Sequence, residues 1–260
     1  MTMDVTEYNS LAWDKAVESS NPWTRPVHGD TIAAARRGEW DVILTPVKPV
    51  PKEWFGDIRG KDILCLASGG GQQAPVFAAA GANVTSFDNS AKQLEQDRIV
   101  AEREGLSIRL EKGDSADLSR FDDESFDLIF HPCSNVFMPV LQPIWDECFR
   151  VLRRGGSLLV GFTKPEVFIF DRFEEEKNGV LVPMHKLPYS DAEALTEDQL
   201  EELFRNNIPL EFSHTLEEQI GGQIAAGFYI TGFYEDYWGD PKNLFDNLMP
   251  AFVATRAIKP

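Results

Sequence analysis

The stretch Ile63-Leu64-Cys65-Leu66-Ala67-Ser68-Gly69-Gly70-Gly71-Gln72-Gln73 decides the reading of this chain. Four apolar residues in a row read as a strand buried on both faces. Three glycines then let the backbone turn tightly and come close to a ligand. Gln72 to Ala80 reads as the helix that follows, closed by Gly81. The start of a helix offers N–H groups and the positive end of its dipole. In a doubly wound sheet, a nucleotide-type cofactor occupies that place.

Outward from this stretch the alternation repeats. Val84-Thr85-Ser86-Phe87 reads as a second strand, and Ala91 to Glu104 as a helix closed by Gly105. Ile108-Arg109-Leu110 and Phe126-Asp127-Leu128-Ile129-Phe130 read as the third and fourth strands. A helix over Pro143 to Leu152 and a strand over Ser157 to Phe162 come next. Strand and helix alternating at this spacing predict βαβ units, hence a parallel sheet with helices on both faces. Phe228 to Tyr234 and Phe252 to Ile258 read as two closing strands.

Two regions break the rhythm. Residues 1–60 hold Trp13, Trp23, Trp40 and Trp54 and read as a helical and extended lid segment. Helices are expected over Tyr8 to Glu18 and Asp30 to Arg37, the second with Asp30 as N-cap. Thr45-Pro46-Val47-Lys48-Pro49-Val50-Pro51 cannot be helix, because prolines at that spacing force an extended connector. Residues 61–260 read as the cofactor domain, with an insertion at about 163–212. There Val167 to Phe170 and Val180 to Val182 look like strands around a Lys177-Asn178-Gly179 turn, and Thr196 to Phe204 like a short helix. A last helix is expected from Thr215, capped by its hydroxyl and by Glu218, to about Ala226.

The 260 residues carry a net charge of −17, with 42 acidic against 25 basic side chains. A nucleic-acid partner is not expected, because phosphate binding is led by Lys and Arg. The largest apolar runs are far shorter than a membrane span. Three cysteines, Cys65, Cys133 and Cys148, show no paired spacing, which excludes a disulfide framework and fits a reducing cytoplasm. His28 and His185 have no partner at metal-ligand spacing, so no metal is expected. The oligomeric expectation is a monomer or homodimer.

Further residues fall at the intervals such a cofactor needs. Asp88 ends the second strand, where a carboxylate can accept from both hydroxyls of a ribose. Gly113-Asp114 follows the third strand, where Asp114 can accept from an adenine amino group. Arg150-Val151-Leu152-Arg153-Arg154-Gly155-Gly156 precedes the fifth. From about Lys61 to Pro165 the chain resembles the class I S-adenosylmethionine (SAM) dependent methyltransferases, and most closely their small-molecule, ubiquinone-biosynthesis-like branch. A bacterial group of uncharacterised members shares the Ala-Ser-Gly-Gly-Gly-Gln-Gln loop and the element from Ser213 to Gln223. The resemblance implies a Rossmann-like, doubly wound, mostly parallel seven-stranded sheet with an antiparallel last strand. It implies SAM as cofactor, held by Ala67, Gly69, Gly70, Gly71, Asp88, Asn89, Gln93, Asp114, Ser115 and His131. Two positions depart from the family: Cys65 stands where an acid is common, and Ala67 where the first glycine is usual.

Two other readings stay open on the residues alone. Gly69-x-Gly71-x-x-Ala74 also matches the dinucleotide fingerprint of a nicotinamide-dependent oxidoreductase. The departures at Cys65 and Ala67 fit a protein that binds SAM, or a modified SAM, without methylating. For methyl transfer, the acceptor is expected to be a small molecule. His131, after the fourth strand, is the candidate general base. Trp23, Arg25, Asn135, His214, Gln219 and Gln223 are the candidate acceptor contacts. Gln219 and Gln223 share a helix face, and Gly221-Gly222 between them carries a helix cost of about 1 kcal/mol per glycine, a sign of close approach by another group.

Overall fold

The computed structural model describes residues 4–260. Its strands are β1 (Asp62–Leu66), β2 (Asn83–Asp88), β3 (Ile108–Lys112), β4 (Phe126–His131), β5 (Leu152–Thr163), β6 (Tyr229–Asp236) and β7 (Phe252–Ile258). They form one seven-stranded sheet in the order β3-β2-β1-β4-β5-β7-β6. β1 to β5 run parallel. β7 slots between β5 and β6, antiparallel to both. The strand order reverses beside β1, and a ligand crevice opens there, beyond the strand C-termini.

Buried β1 organises the core. Its side chains alternate, Ile63 and Cys65 to one face, Leu64 and Leu66 to the other. On the first face Val84, Leu128 and Phe130 meet Val76 and Phe77 together with Leu44, Trp54 and Phe55. On the second, Phe87, Ile129 and Leu158 meet Ile144, Trp145 and Phe228. Burying each such side chain stabilises by about 1.5–3 kcal/mol. A continuous apolar run, rather than an alternating one, is therefore what this doubly covered strand needs.

The helices are α1 (Val5–Glu18), α2 (Gly29–Arg36), α3 (Gln73–Ala79), α4 (Ala91–Glu104) and α5 (Gln142–Val151). After β5 come α6 (Arg172–Asn178), α7 (Asp191–Ala194) and α8 (Glu197–Asn206). A π-helical turn at Glu217–Gly221 then leads into α9 (Gly222–Ala225). Local chemistry sets several ends. Ser90 Oγ accepts from Gln93 N at the start of α4, and Gly105 at φ 63° closes it. Thr196 and Gln199 form a capping box at the start of α8. Thr215 and Glu218 pair in the same way, each donating its backbone N–H to the other's side chain.

Three local expectations are corrected. Val167 to Phe170 is not a strand: Pro165 opens a 3-10 helix over Pro165–Ile169. Val180 to Val182 is not one either; Phe170 and Pro183 share a single bridge, and Lys177-Asn178-Gly179 is the end of α6, with Gly179 at φ 64°. Asp30 does not cap α2. The helix starts one residue earlier, behind His28, and Asp30 sits in its first turn, where its charge meets the dipole. Among the described residues, no helix is long and apolar enough to cross a membrane.

Candidate active site

A cavity of about 580 Å³ lies beyond the ends of β1, β2 and β4. Ala67, Ser68, Gly69, Asp88, Gln93 and Asp114 line one half, with Asn89, Ser115 and Trp23. The glycine turn is built for close approach. A side chain on Gly69 would put its Cβ 2.7 Å from Gln93 Cβ, and one on Gly71 would sit 2.9 Å from both Gln96 O and Pro26 Cβ. Ala67 adopts φ 46°, a left-handed conformation costing a non-glycine residue about 1–2 kcal/mol. Its N–H donates to Phe87 O at 2.8 Å, which fixes the turn against β2.

The loop's amides are not free donors. Gly69 N donates to Asp88 Oδ2 at 3.0 Å, Gly70 N to Gln93 O at 2.9 Å, and Gly71 N to Asp97 Oδ1 at 2.8 Å. Gly70 and Gly71, expected at the cofactor, lie outside the cavity lining, under the Trp23 to Pro26 segment. Asp97 is the residue that sequence reading missed. It is fully buried in α4, takes Ser86 Oγ–H at 2.6 Å, and ties the loop to β2. Burial raises its pKa to about 7, against the hydrogen bonds from Ser86 and Gly71 that pull it down. The signal available was an acid where α4's apolar face should point inward.

Asp88, at the end of β2, lines the cavity. Burial raises its pKa to about 6, while the amides of Ser90 and Gly69 favour the ionised form. Asp114 and Ser115 sit after β3, Asp114 Oδ1 accepting from Ala116 N at 3.0 Å. Ser68 Oγ and Gln93 Oε1 are buried without a partner, on residues of the cavity wall.

His131 and the glutamine face are elsewhere. His131 is fully buried, with Nδ1 2.9 Å from Leu66 O and Nε2 2.6 Å from the Asn135 carboxamide. Asn135 in turn bonds the Gln219 carboxamide at 2.6 Å. Burial lowers the His131 pKa and so favours the neutral ring, which has one N–H. With that N–H on Leu66 O, a half-turn of both carboxamides lets Asn135 donate to Nε2 and Gln219 to Asn135, satisfying the chain. Gln223 donates to Gln219 O at 2.8 Å and meets Thr255 Oγ1 at 3.2 Å. His214 Nε2 lies 2.8 Å from Met138 O and 3.1 Å from Asn135 O. None of His131, Asn135, His214, Gln219 and Gln223 lines the cavity. They form a polar seam that fastens the last helix to the sheet. The close approach at Gly222 is to Trp145, whose ring carbon would lie 2.6 Å from an added Cβ. Arg25 is also outside the lining, its Nε donating to Ser20 O at 3.0 Å. Cys133 lines the cavity, but burial pushes its thiol well up, away from nucleophile chemistry.

The other half of the cavity is one the sequence did not reveal. Phe168, Phe170, Tyr189, Trp238, Phe245 and Phe252 wall it. Rings pair there: Phe168 on Tyr189 at 5.6 Å, Phe170 on Phe245 at 5.5 Å, and Trp238 on Phe252 at 4.6 Å. Arg172, Glu175 and Glu211 bring charge into it. α1 covers both halves, lining the cavity with Thr6, Asn9, Trp13 and Ala16. Asn9 Nδ2 donates to Phe137 O and Leu210 O, each at 3.0 Å, and Ser10 Oγ to Asn89 O at 2.8 Å. Trp13 meets Phe137 edge-on at 5.0 Å. Helix, strand-four loop and insertion are thereby held together. Among the described residues, no cluster of three His, Cys, Asp or Glu side chains could hold a metal.

A sheet of this order, with a glycine turn after β1 and an acid closing β2, is the fold of class I SAM-dependent methyltransferases. The family described as "Methyltransferase domain" matches residues 64–160. The uncharacterized methyltransferase YbaJ of Bacillus subtilis (strain 168) is 53% identical over 252 residues, 97% of each chain. The chain belongs to this family of SAM-dependent methyltransferases. A SAM-dependent methyltransferase from Mesorhizobium loti superposes with TM-score 0.61 at 18% identity, over 80% of this chain and 94% of its own. The [4+2]-cyclase SpnF superposes with TM-score 0.62 at 16% identity, over 98% and 97%. At such identities the likeness shows the fold alone, and SpnF illustrates that the fold by itself does not fix a reaction.

Proposed function

We propose that this methyltransferase acts on a small-molecule acceptor, with SAM in the glycine-loop half of the cavity and the acceptor in the aromatic half. The observation that carries this is the convergence of Ala67 to Gly69, Asp88 and Asp114 on one cavity, where Ser68 Oγ is buried without a partner. Buried polar groups are satisfied in native proteins, so a partnerless atom on a cavity wall fits a polar ligand that completes it. The residues present fit SAM. The Asp88 carboxylate would take the ribose hydroxyls, and Asp114 with Ser115 the adenine edge. Ala67 to Gly69 would follow the backbone of its amino-acid portion.

When bound, SAM supplies a methyl already activated on a sulfonium, ready for in-line displacement. The protein then has to position the nucleophile and exclude water. α1 and residues 22–27 serve as the cover. Gln72 Nε2 donates to Arg25 O at 3.1 Å and Val27 N to Gly71 O at 2.8 Å, so the cover is anchored on the loop itself. His131 takes no proton from an acceptor in this reading, because both its nitrogens are engaged in the seam.

Calorimetry tests the cofactor half. S-adenosylhomocysteine should bind the wild type, with affinity rising as pH climbs through about 6, because Asp88 accepts hydroxyls best when ionised. Asp88→Ala should weaken it about tenfold to a hundredfold, the worth of hydrogen bonds to a charged group. Tight NADH binding with no S-adenosylhomocysteine binding would refute the reading. Incubation with SAM and a metabolite extract, followed by mass spectrometry, then identifies the acceptor.

A further inference from the structure

We infer that the acceptor is a small amine, its nitrogen recognised by the Glu211 carboxylate inside the aromatic wall. This rests on the reading of the cavity as the methyl-transfer site. Three residues of the cavity lining, Arg172, Tyr189 and Glu211, converge on Asp191. Arg172 Nη2 pairs with Asp191 Oδ1 at 3.0 Å. Tyr189 OH donates to the same oxygen at 2.6 Å. The backbone N–H of Glu211 donates to Asp191 Oδ2 at 2.8 Å. Asp191, fully buried, thereby holds the guanidinium, the phenol and the Glu211 backbone in place.

The Glu211 side chain is treated differently. Its nearest cation is Arg172 Nη1, 3.7 Å from Oε2, beyond hydrogen-bond distance. Among the described residues its carboxylate accepts no hydrogen bond. It nonetheless keeps 32% of its side-chain surface, and it lines the cavity. Two carboxylates thus share one guanidinium, which leaves a surplus negative charge on the face turned to the ligand. Arg172 cannot offer its planar fork to an incoming anion. One Nη is committed to Asp191, the other faces Glu211, and Nε is buried. Burial together with the Asp191 charge raises the Glu211 pKa to about 7, with Arg172 opposing. A carboxylate that is costly to keep ionised gains from a cationic or N–H partner.

The walls select in the same direction. Phe168, Phe170, Tyr189, Trp238, Phe245 and Phe252 line the same cavity as that acid. Aromatic faces attract an ammonium within about 6 Å, by about 0.5–2 kcal/mol each. An anionic acceptor would meet both the surplus charge and the negative ring faces. The chain's net charge of −17 adds to that bias at long range.

The test uses three probes of one shape and different charge: 2-phenylethylamine, 2-phenylethanol and 3-phenylpropionate. Each is titrated into the full chain with S-adenosylhomocysteine saturating, by calorimetry and by tryptophan fluorescence. The amine should bind at least about tenfold tighter than the carboxylate, a difference of about 1.4 kcal/mol, with the alcohol between. Glu211→Gln should shrink the ratio to within about threefold, with affinity for S-adenosylhomocysteine unchanged. Phe168→Ala should weaken all three probes, the amine most, and keep their order. A carboxylate bound as tightly as the amine overturns the inference, as does an unchanged ratio in Glu211→Gln or no binding of any probe. The wild-type order decides the charge class even where a variant fails to fold. Loss of S-adenosylhomocysteine binding in the wild type would instead sink the cofactor reading beneath it.

Discussion

The two halves of the cavity are built in opposite ways. The half proposed for the cofactor stands on the ends of adjacent parallel strands. Its residues come from short consecutive runs, Ala67 to Gly69, Asp88 with Asn89, and Asp114 with Ser115. Its shape is set mainly by backbone: a left-handed Ala67, glycines packed against α4, and amides paired inside the loop. The half proposed for the acceptor draws single side chains from Phe168, Tyr189, Glu211, Trp238, Phe245 and Phe252, on short helices, connectors and β7. Its shape is set by side chains, with little regular backbone beneath. Backbone sites tolerate almost no substitution and hold one ligand; side-chain sites can be re-cut for different acceptors without disturbing the sheet.

A paired substitution puts that contrast under the greatest strain. Gly69→Val should be the most damaging single change in the cavity. Its Cβ would lie 2.7 Å from Gln93 Cβ and 3.1 Å from Gln93 C, so the backbone of α4 would have to move. Overpacking of this kind costs about 1–3 kcal/mol, and the branched side chain would also crowd Asp88. S-adenosylhomocysteine binding should fall by more than about thirtyfold. Phe168→Ala, in the other half, should leave that binding intact. Equal losses of S-adenosylhomocysteine affinity in the two variants would break the distinction.

The same contrast explains which features are legible in the sequence alone. β1, β4 and the second half of β5 are legible as largely apolar runs that suit doubly covered strands, and α4 by Ser90 and Gly105 as start and stop. Asp88 and Asp114 are legible because their positions are counted from strand ends. The aromatic half is not. Glu211 and Phe168 are 43 positions apart in a region of short elements, and no periodicity brings them together. The glutamines mislead for another reason. Gln219 and Gln223 do share a face, as their spacing says, but spacing does not say which surface that face meets. They meet Asn135 and Thr255. Buried amides look the same in a sequence whether they serve a ligand or each other.

That seam makes the next prediction. If Gln219 serves the fold and not the acceptor, Gln219→Ala should cost about 1–3 kcal/mol of unfolding free energy, by leaving the Asn135 carboxamide without its partner. Denaturant unfolding measures it. Acceptor KM, once an acceptor is found, should stay within about twofold of wild type in variants that remain folded. A raised KM with unchanged stability would return the seam to the acceptor site and shrink the difference between the halves.

The smallest effect separates the halves by pH. Asp97 lies beneath the glycine loop with a pKa raised to about 7, and Glu211 lies in the aromatic half, also raised to about 7. A carboxyl raised on folding keeps a proton that the unfolded chain has already released. Between roughly pH 4 and pH 7 the native state therefore binds more protons, and stability falls as pH rises, by at most about 1.4 kcal/mol per pH unit for each group. The contribution is fully present below that window and gone above it. The carboxamide introduced by Asp97→Asn can still accept from Gly71 N and can donate to Ser86 Oγ, so the variant removes the titration and keeps the loop's anchor. Urea unfolding of the ligand-free protein at pH 5 and pH 7.5 should show a smaller difference in Asp97→Asn than in wild type. Glu211→Gln should flatten the same window by a lesser amount, because its carboxyl keeps surface toward the cavity while Asp97 has none. Asp88, raised to about 6, supplies the part of the slope that survives both substitutions. A wild-type slope left intact by Asp97→Asn would mean that the loop's anchor is already ionised in the folded protein, held so by its hydrogen bonds from Ser86 and Gly71 against the cost of burial.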